Sequence, residues 1–200
     1  MAARHKESER KEIKNETRQL LLDAAAGEFS REGYVGANIN RISTAAGFAK
    51  GTIYNYFASK RDLMNALIDE VGGAHVAAIV THVSAETNPE RKLEVFFRAG
   101  FAFVETNVNG SLTIVTTLYG PDLEFKARLF QAYQPLFRLL AEEVIAPGIA
   151  QGVFREVDVE QTAGLLMNFY LGTGSTLNTE GRVWLDSDLV ADFALRALQK

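Results

Sequence analysis

Apolar residues along this 200-residue chain recur at helical spacing, and no stretch shows the sustained alternation of a strand. Ile13, Thr17, Leu20, Leu21, Ala24, Ala25 and Phe29 form one stripe, which predicts an amphipathic helix over residues 13–31. Gly33 is placed to end it in the left-handed conformation, so that Tyr34 and Val35 turn back onto a small core. Next, Ile39, Ile42 and Ala46 line one face of a short helix, Gly47 supplies a sharp turn and Phe48 plugs it. A second helix from about Lys50 keeps Ile53 and Phe57 inward and leaves Lys50, Thr52, Tyr54, Asn55 and Tyr56 outside. Two short helices around a Gly-containing turn form the helix-turn-helix pattern, whose second helix enters the DNA major groove. A helical hairpin inside an ordinary α-bundle has the same periodicity.

Beyond this stretch, Ser59 is a natural N-cap with Asp62 three residues on, as in a capping box. Leu63, Leu67 and Val71 carry that helix to Gly72 and Gly73, the expected domain boundary. Further helices are expected over residues 74–86, 90–107, 111–119, 122–146, 159–176 and 186–198. Their breaks fall at Asn88 and Pro89, Asn109 and Gly110, Gly120 and Pro121, Pro147 and Gly148, and Glu180 and Gly181. Pro135 should kink or split the longest of them near Tyr133. The fold class is all-α: an arm over residues 1–12, a DNA-binding head over 13–73 with its helix-turn-helix at about 37–57, and a body over 74–200.

Charge sharpens the picture. The net charge is −4, but residues 1–60 carry ten Lys or Arg against seven Asp or Glu, and residues 61–200 carry eleven against eighteen. Residues 33–61 hold no acid, while Arg41, Lys50, Lys60 and Arg61 are basic, which suits a surface facing phosphates. Arg4, Lys6, Arg10 and Lys11 give the arm a similar character, though a solvated tail reads the same way. The chain has no cysteine, so disulfides and thiolate metal sites are excluded and a reducing cytoplasm is expected. No apolar run of the roughly 18 residues that a membrane span needs is evident, and the charged N-terminus is unlike a secretory signal.

Residues 17–64 resemble the N-terminal domain of the TetR (tetracycline-repressor-like) transcriptional regulators, through AAAGEFSREGY and then AGFAKGTIYNYFASKRDLMNAL. Ala37 and Asn38 stand where that family usually has Thr, and Ala49 where it usually has a Ser that caps the recognition helix or touches phosphate. The resemblance implies a DNA-binding surface of Arg41, Ala49, Lys50, Gly51, Thr52, Tyr54, Asn55, Tyr56 and Lys60. Lys50 and Asn55 would read bases, Gly51 would let the backbone approach, and Lys60 would meet a phosphate at its helix N-terminus. It also implies a repressor of a pseudo-palindromic operator, released by a small ligand.

Ten of the thirteen Phe lie beyond residue 73, and periodicity alone reads them as core. The resemblance implies instead that the body holds an inducer, with Phe97, Phe101, Tyr119, Tyr133, Phe137, Met167, Asn168 and Tyr170 as candidate contacts. No Arg or Lys cluster sits among these, which argues against a strongly anionic ligand. The segment 159–176 is apolar or small almost all round and so must be buried on more than one side. By resemblance it and the last helix pair with their copies in a homodimer, through Leu166, Phe169, Gly172, Thr173, Leu189, Phe193 and Arg196, although an intramolecular core satisfies the same pattern.

No catalytic or metal-binding constellation is visible, and no cofactor is expected. His75 and His82, seven apart, are too far along a helix for an i, i+4 ligand pair and read as surface residues. The sequence Gly172-Thr173-Gly174-Ser175 lacks the setting and the Lys of a phosphate loop. The rival reading is a helical small-molecule carrier or enzyme without DNA-binding activity.

Overall fold

A computed structural model describes residues 2–178 and 180–200, and side chains from residue 7 onward; Arg4, His5 and Lys6 of the expected arm thus lie outside the described side chains. The helices are α1 (Ala2–Gly36), α2 (Ile39–Ala45), α3 (Lys60–Ser84), α4 (Pro89–Thr106), α5 (Val108–Tyr119), α6 (Leu123–Arg138), α7 (Ala146–Ala150), α8 (Val159–Gly174) and α9 (Ser187–Leu198). Among the described residues there is no strand, only isolated bridges pairing Phe154 with Gln199 and Leu177 with Val183.

Residues 2–12 are helical and continuous with α1. Their Lys, Arg and Glu are good helix formers, and Glu7 and Lys11 stand at the supportive i, i+4 spacing. α1 changes direction at Gly33, which takes φ 65°, as its position in the stripe predicts. Its buried face is Leu21, Leu22, Ala25, Ala26 and Phe29, whereas Ile13 and Leu20 are exposed. The partner helices reach only the second half of α1, so the stripe is buried only there.

The N-caps obey sequence chemistry. Asn38 accepts from the backbone of Asn40 and Arg41, Ser59 from Asp62, Asn88 from Arg91, Asp158 from Gln161, and Asp186 from Asp188 and Leu189. Each satisfies amide groups that a helix start leaves unpaired.

Three expected breaks are absent. α3 runs unbroken for 25 residues through Gly72 and Gly73, Gly110 lies inside α5, and Pro147 and Gly148 lie inside α7, Pro147 in its first turn where its missing N–H costs little. Gly72 and Gly110 allow close approach rather than a turn. A Cβ on Gly72 would stand 3.3 Å from Ala132 of α6, and one on Gly110 would stand 3.0 Å from Val71 of α3. By length and composition alone α3 could cross a bilayer. Its apolar residues are instead spent on packing: Leu63, Met64, Leu67, Ile68, Ile79 and Val83 are all buried, against α1 in the head and α4, α5 and α6 in the body.

The helix that holds Pro135 continues past it to Arg138 and then widens into a π-helical segment, Leu139–Ile145, before α7. Pro135 and Pro147 bracket this segment. Each removes one backbone donor, and the wider turn between them is where the ladder is re-registered.

Gly100 in α4 faces Tyr170 so closely that a Cβ would stand 2.3 Å from the phenol oxygen, whereas nothing lies within 4 Å of the Cβ position at Gly73. Gly100→Ala should therefore lower stability by about 1–3 kcal/mol through overpacking. Gly73→Ala, in an open helical site, should raise it by about 0.5–1 kcal/mol. Urea denaturation midpoints of the two variants test this opposition of sign.

Candidate DNA-binding head and ligand cavity

The head is built on two buried contacts that sequence reading missed. Ser43, fully buried in α2, accepts the backbone N–H of Ile53 at 3.3 Å, and its carbonyl accepts Phe48 N–H at 2.9 Å. These bonds fold the second limb of the motif onto the first. Glu28, 2% exposed, accepts the backbone N–H of Asn38 at 3.0 Å and pairs with Arg31 and Arg41 at 3.3 and 3.2 Å. It fixes the start of α2 against α1.

The second limb is not an α-helix. Gly51 takes φ 90°, and residues Thr52–Asn55 form a single 3₁₀ turn. Ile53 and Phe57 are buried as expected. Only the few residues between Gly51 and the N-cap Ser59 are available, too short a span to repay helix nucleation. No side chain caps this turn, in keeping with Ala at position 49. Ala49, Lys50, Tyr54 and Asn55 are exposed, while Gly51, Thr52 and Tyr56 are half-buried.

Two basic residues are already engaged within the protein. Arg41 is bound by Glu32 at 2.9 Å and by Glu28; these carboxylates, Glu32 first, raise its pKa and hold it charged. The acid-free run 33–61 is thus not acid-free in space, because α1 returns Glu28 and Glu32 to it. Lys60 donates to the carbonyls of Val35 and Ala37 at 2.9 and 2.8 Å, with its ammonium 5.1 Å from the Tyr34 ring centroid. It closes the α1–α2 link. Arg31, Arg41 and Lys50 line one open cleft with Asn38, Asn40 and Thr44. Arg31, Asn40 and Thr44 were not singled out in the sequence, because Arg31 lies before the motif and Asn40 and Thr44 are polar positions of its first helix, off the apolar face that the periodicity marks.

The head meets the body at the first turn of α3. Arg61 bonds Asp122 at 2.8 Å and Glu124 at 2.9 Å, where α6 begins, and lies 4.6 Å over Phe125. Asp122 also caps α6, and its backbone bond from Phe125 together with Arg61 holds its pKa low.

In the body, α5, α6 and α8 enclose a cavity of about 420 Å³. Its walls are Ile114, Leu118, Leu129, Phe130, Tyr133, Gln134, Phe137, Gly164, Met167, Asn168 and Leu171. Apolar walls with a few neutral polar groups are typical of a small-molecule site. Of the residues anticipated, Tyr133, Phe137, Met167 and Asn168 line it. Phe97 and Phe101 are instead core residues packed around Tyr170, with ring centroids each 6.0 Å from it. Tyr119 is exposed at the end of α5, beyond the reach of the cavity walls.

Tyr170 borders a smaller recess with His75, Ser111 and Tyr133. His75 is buried rather than on the surface. Its Nδ1 is 3.0 Å from the Tyr133 hydroxyl, its Nε2 is 2.6 Å from the Tyr170 hydroxyl, and its ring stacks on Phe103 at 4.3 Å. Burial lowers its pKa from 6.5 to about 4, opposed only in part by the Gly100 backbone, and burial raises both phenols. In the sequence His75 pairs only with His82, seven residues on, and reads as a surface residue; it is the closure of α4, α6 and α8 over it that forms the cluster. Among the described residues no group of three or more His, Asp or Glu is arranged to hold a metal.

On the outer side of α8 and α9, Leu165 (69%), Leu189 (61%) and Phe193 (66%) are exposed, and Phe169 meets Phe193 at 5.6 Å. Gly172 and Arg196 are also exposed, Thr173 is half-buried, and Arg196 pairs with Asp192. Leu166, anticipated on this face, is buried in the core; its neighbour Leu165 takes the outward position because one residue turns the helix by about 100°.

A helix-turn-helix head joined to an all-helical body with its own cavity defines a class, the one-component DNA-binding regulators. Residues 21–67 match the family model for bacterial regulatory proteins of the tetR family. The fatty acid metabolism regulator protein of Bacillus subtilis is 24% identical over 136 residues, 68% of this chain and 70% of that one. The structure of the transcriptional regulator FadR from Bacillus subtilis in complex with stearoyl-CoA superposes with a TM-score of 0.78 at 21% identity, covering 91% and 97% of the two chains. That of AibR in complex with isovaleryl coenzyme A and operator DNA gives a TM-score of 0.74 at 20% identity, covering 92% and 98%.

The imidazole of His75 carries a pH prediction. Unfolded, it binds a proton near 6.5; folded, near 4. The unfolded state therefore binds more protons between these values, so stability falls as pH drops through that window and levels off below it. The loss due to His75 should be about 2 kcal/mol between pH ~7.5 and ~5. Urea midpoints across this range should show the slope in the native chain and a shallower one in His75→Gln.

Proposed function

We propose that the chain acts in the cytoplasm as a homodimeric repressor that leaves its operator when a small hydrophobic molecule occupies the α5–α6–α8 cavity. One observation carries this reading. The cavity is walled by α5 and α6, and the start of α6 is ion-paired through Asp122 and Glu124 to Arg61, in the first turn of the helix that bears the head. A ligand that favours one setting of α6 over another thereby favours one setting of the head, and only such a difference in affinity can release DNA. FadR with stearoyl-CoA and AibR with isovaleryl coenzyme A make an acyl thioester one candidate class. The cavity walls contain no Lys or Arg, so they suit an acyl chain, and the nucleotide portion would lie outside them. Pairing of two copies through Leu165, Phe169, Leu189 and Phe193 would set two heads about 34–36 Å apart, one turn of DNA.

In this reading Lys50, exposed and unencumbered by any ion pair, reads bases with Asn55. Lys60 shapes the head first and adds its remaining donor to a phosphate. Selection from a random duplex pool should enrich a palindrome with half-sites about one turn apart; absence of any enriched site in folded, ligand-free protein would sink the proposal. Lys50→Ala should relax the sequence preference and leave the melting temperature unchanged. Lys60→Ala should weaken binding to all duplexes alike, reduce the salt slope by about 1 and also lower the melting temperature.

Phe193→Asp buries a charge if the α8–α9 face is the dimer contact. The variant should elute as a monomer in size-exclusion chromatography and lose palindrome binding, whereas elution unchanged from the native dimer would place the contact elsewhere.

A further inference from the structure

We propose that the recess beside His75 takes the single uncharged oxygen, a hydroxyl or a carbonyl, of an otherwise apolar ligand whose body fills the adjoining cavity. This rests on the reading of the α5–α6–α8 cavity as the ligand site and adds the chemical class of what binds there.

The recess has a volume of about 30 Å³, room for one water-sized group. It is continuous in its walls with the larger cavity, since Ile114, Tyr133 and Leu171 line both. A ligand body among the apolar walls can therefore present one terminal atom to the recess.

Two features of the recess call for such an atom. The first is Ser111. The residue is 6% exposed, and its Oγ has no hydrogen-bond partner among the described residues. A helical serine commonly bonds back to the carbonyl four residues earlier. Here the Asn107 carbonyl takes the Ser111 backbone N–H at 2.9 Å, and the hydroxyl is left over. A buried hydroxyl without a partner opposes folding unless something else repays it.

The second feature is a count of protons. A neutral imidazole has one N–H and one lone pair. With two phenols, His75 forms a chain of three donors and two hydrogen bonds, at 3.0 and 2.6 Å. Whichever tautomer is present, one phenol proton remains for a further acceptor. With Nδ1 protonated, that proton belongs to Tyr133, which also faces the larger cavity. The recess thus offers a spare donor from the phenol pair and a hydroxyl on Ser111 that both donates and accepts. A carbonyl oxygen can accept from both, and a ligand hydroxyl can accept from the phenol and exchange a bond with Ser111.

The charge of the ligand follows from what is missing from the walls. Among the described residues no Lys, Arg, Asp or Glu lines either the recess or the cavity. The imidazole is kept neutral by its burial. A carboxylate or an ammonium would lose its hydration there without a counter-charge, whereas a neutral oxygen loses little and gains two partners.

Calorimetric titration of the purified full-length chain with naphthalene and with 2-naphthol at pH ~7 tests this. The pair shares one apolar body and differs by a single uncharged hydroxyl. 2-Naphthol should bind about tenfold more tightly than naphthalene, the worth of one well-placed hydrogen bond. That advantage should vanish in Ser111→Ala and in Tyr133→Phe, with naphthalene affinity unchanged. Ser111→Ala removes no bond within the protein, so it reports on the recess even if Tyr133→Phe loosens the fold. Equal binding of the two probes, or an advantage that survives both substitutions, overturns the recess proposal and leaves the cavity reading standing. Failure of both probes to bind overturns the cavity reading, and the recess proposal with it.

Discussion

One continuous helix packs against head and body alike within a single hydrophobic core, and the remainder of the molecule is arranged around that constraint. The N-terminal turns of α3 complete the head, with Leu63 and Leu67 buried alongside α1. Its middle and end, from Ile68 to Val83, are packed by α4, α5 and α6. A helix of 25 residues spans roughly 37 Å, so one continuous element joins the head to the body. Gly72 and Gly110 strengthen the coupling. They let α6 and α5 come close enough to α3 that Ala132 and Val71 fill the space a side chain would take.

Arg41, Lys60 and Arg61 are three of the four basic residues that the sequence places in a phosphate-facing stretch, and each is a structural tie: Arg41 to Glu28 and Glu32, Lys60 to the carbonyls of the α1–α2 link, Arg61 to Asp122 and Glu124. Exposed pairs of this kind contribute little stability singly, about 0–1 kcal/mol. Their value lies in orientation, since they hold the end of α1, the α2 start, the α3 start and the α6 start in one fixed relation. Lys50 is left outside this network, which suits a side chain that meets a partner rather than its own protein.

The body solves a different problem. Its aromatic residues divide between a filled core around Tyr170 and an open cavity around Phe137 and Met167. The His75 cluster sits on the border of the two. A buried polar group there is tolerable because the imidazole is bonded on both nitrogens and stacked on Phe103. Gly100 is the counterpart of that arrangement, the place where α4 gives up a side chain so that the Tyr170 hydroxyl can reach the ring.

Much of this protein is local and therefore legible in its sequence. The N-caps at Ser59 and the turn at Gly33 follow from short-range chemistry, as do the inward placement of Ile42, Ile53 and Phe57 and the all-helical class, because each depends on residues within one or two helical turns. Tertiary structure alone decided the rest. It turned Gly72 and Gly110 from breaks into contacts, buried Leu166 and exposed Leu165, returned Glu28 and Glu32 to an acid-free stretch, and drew His75 between two tyrosines 58 and 95 residues away. The physical reason is the same in every case. Periodicity records that a helix has an apolar face, but which neighbour meets that face, and how closely, is set by the packing of helices distant in the chain.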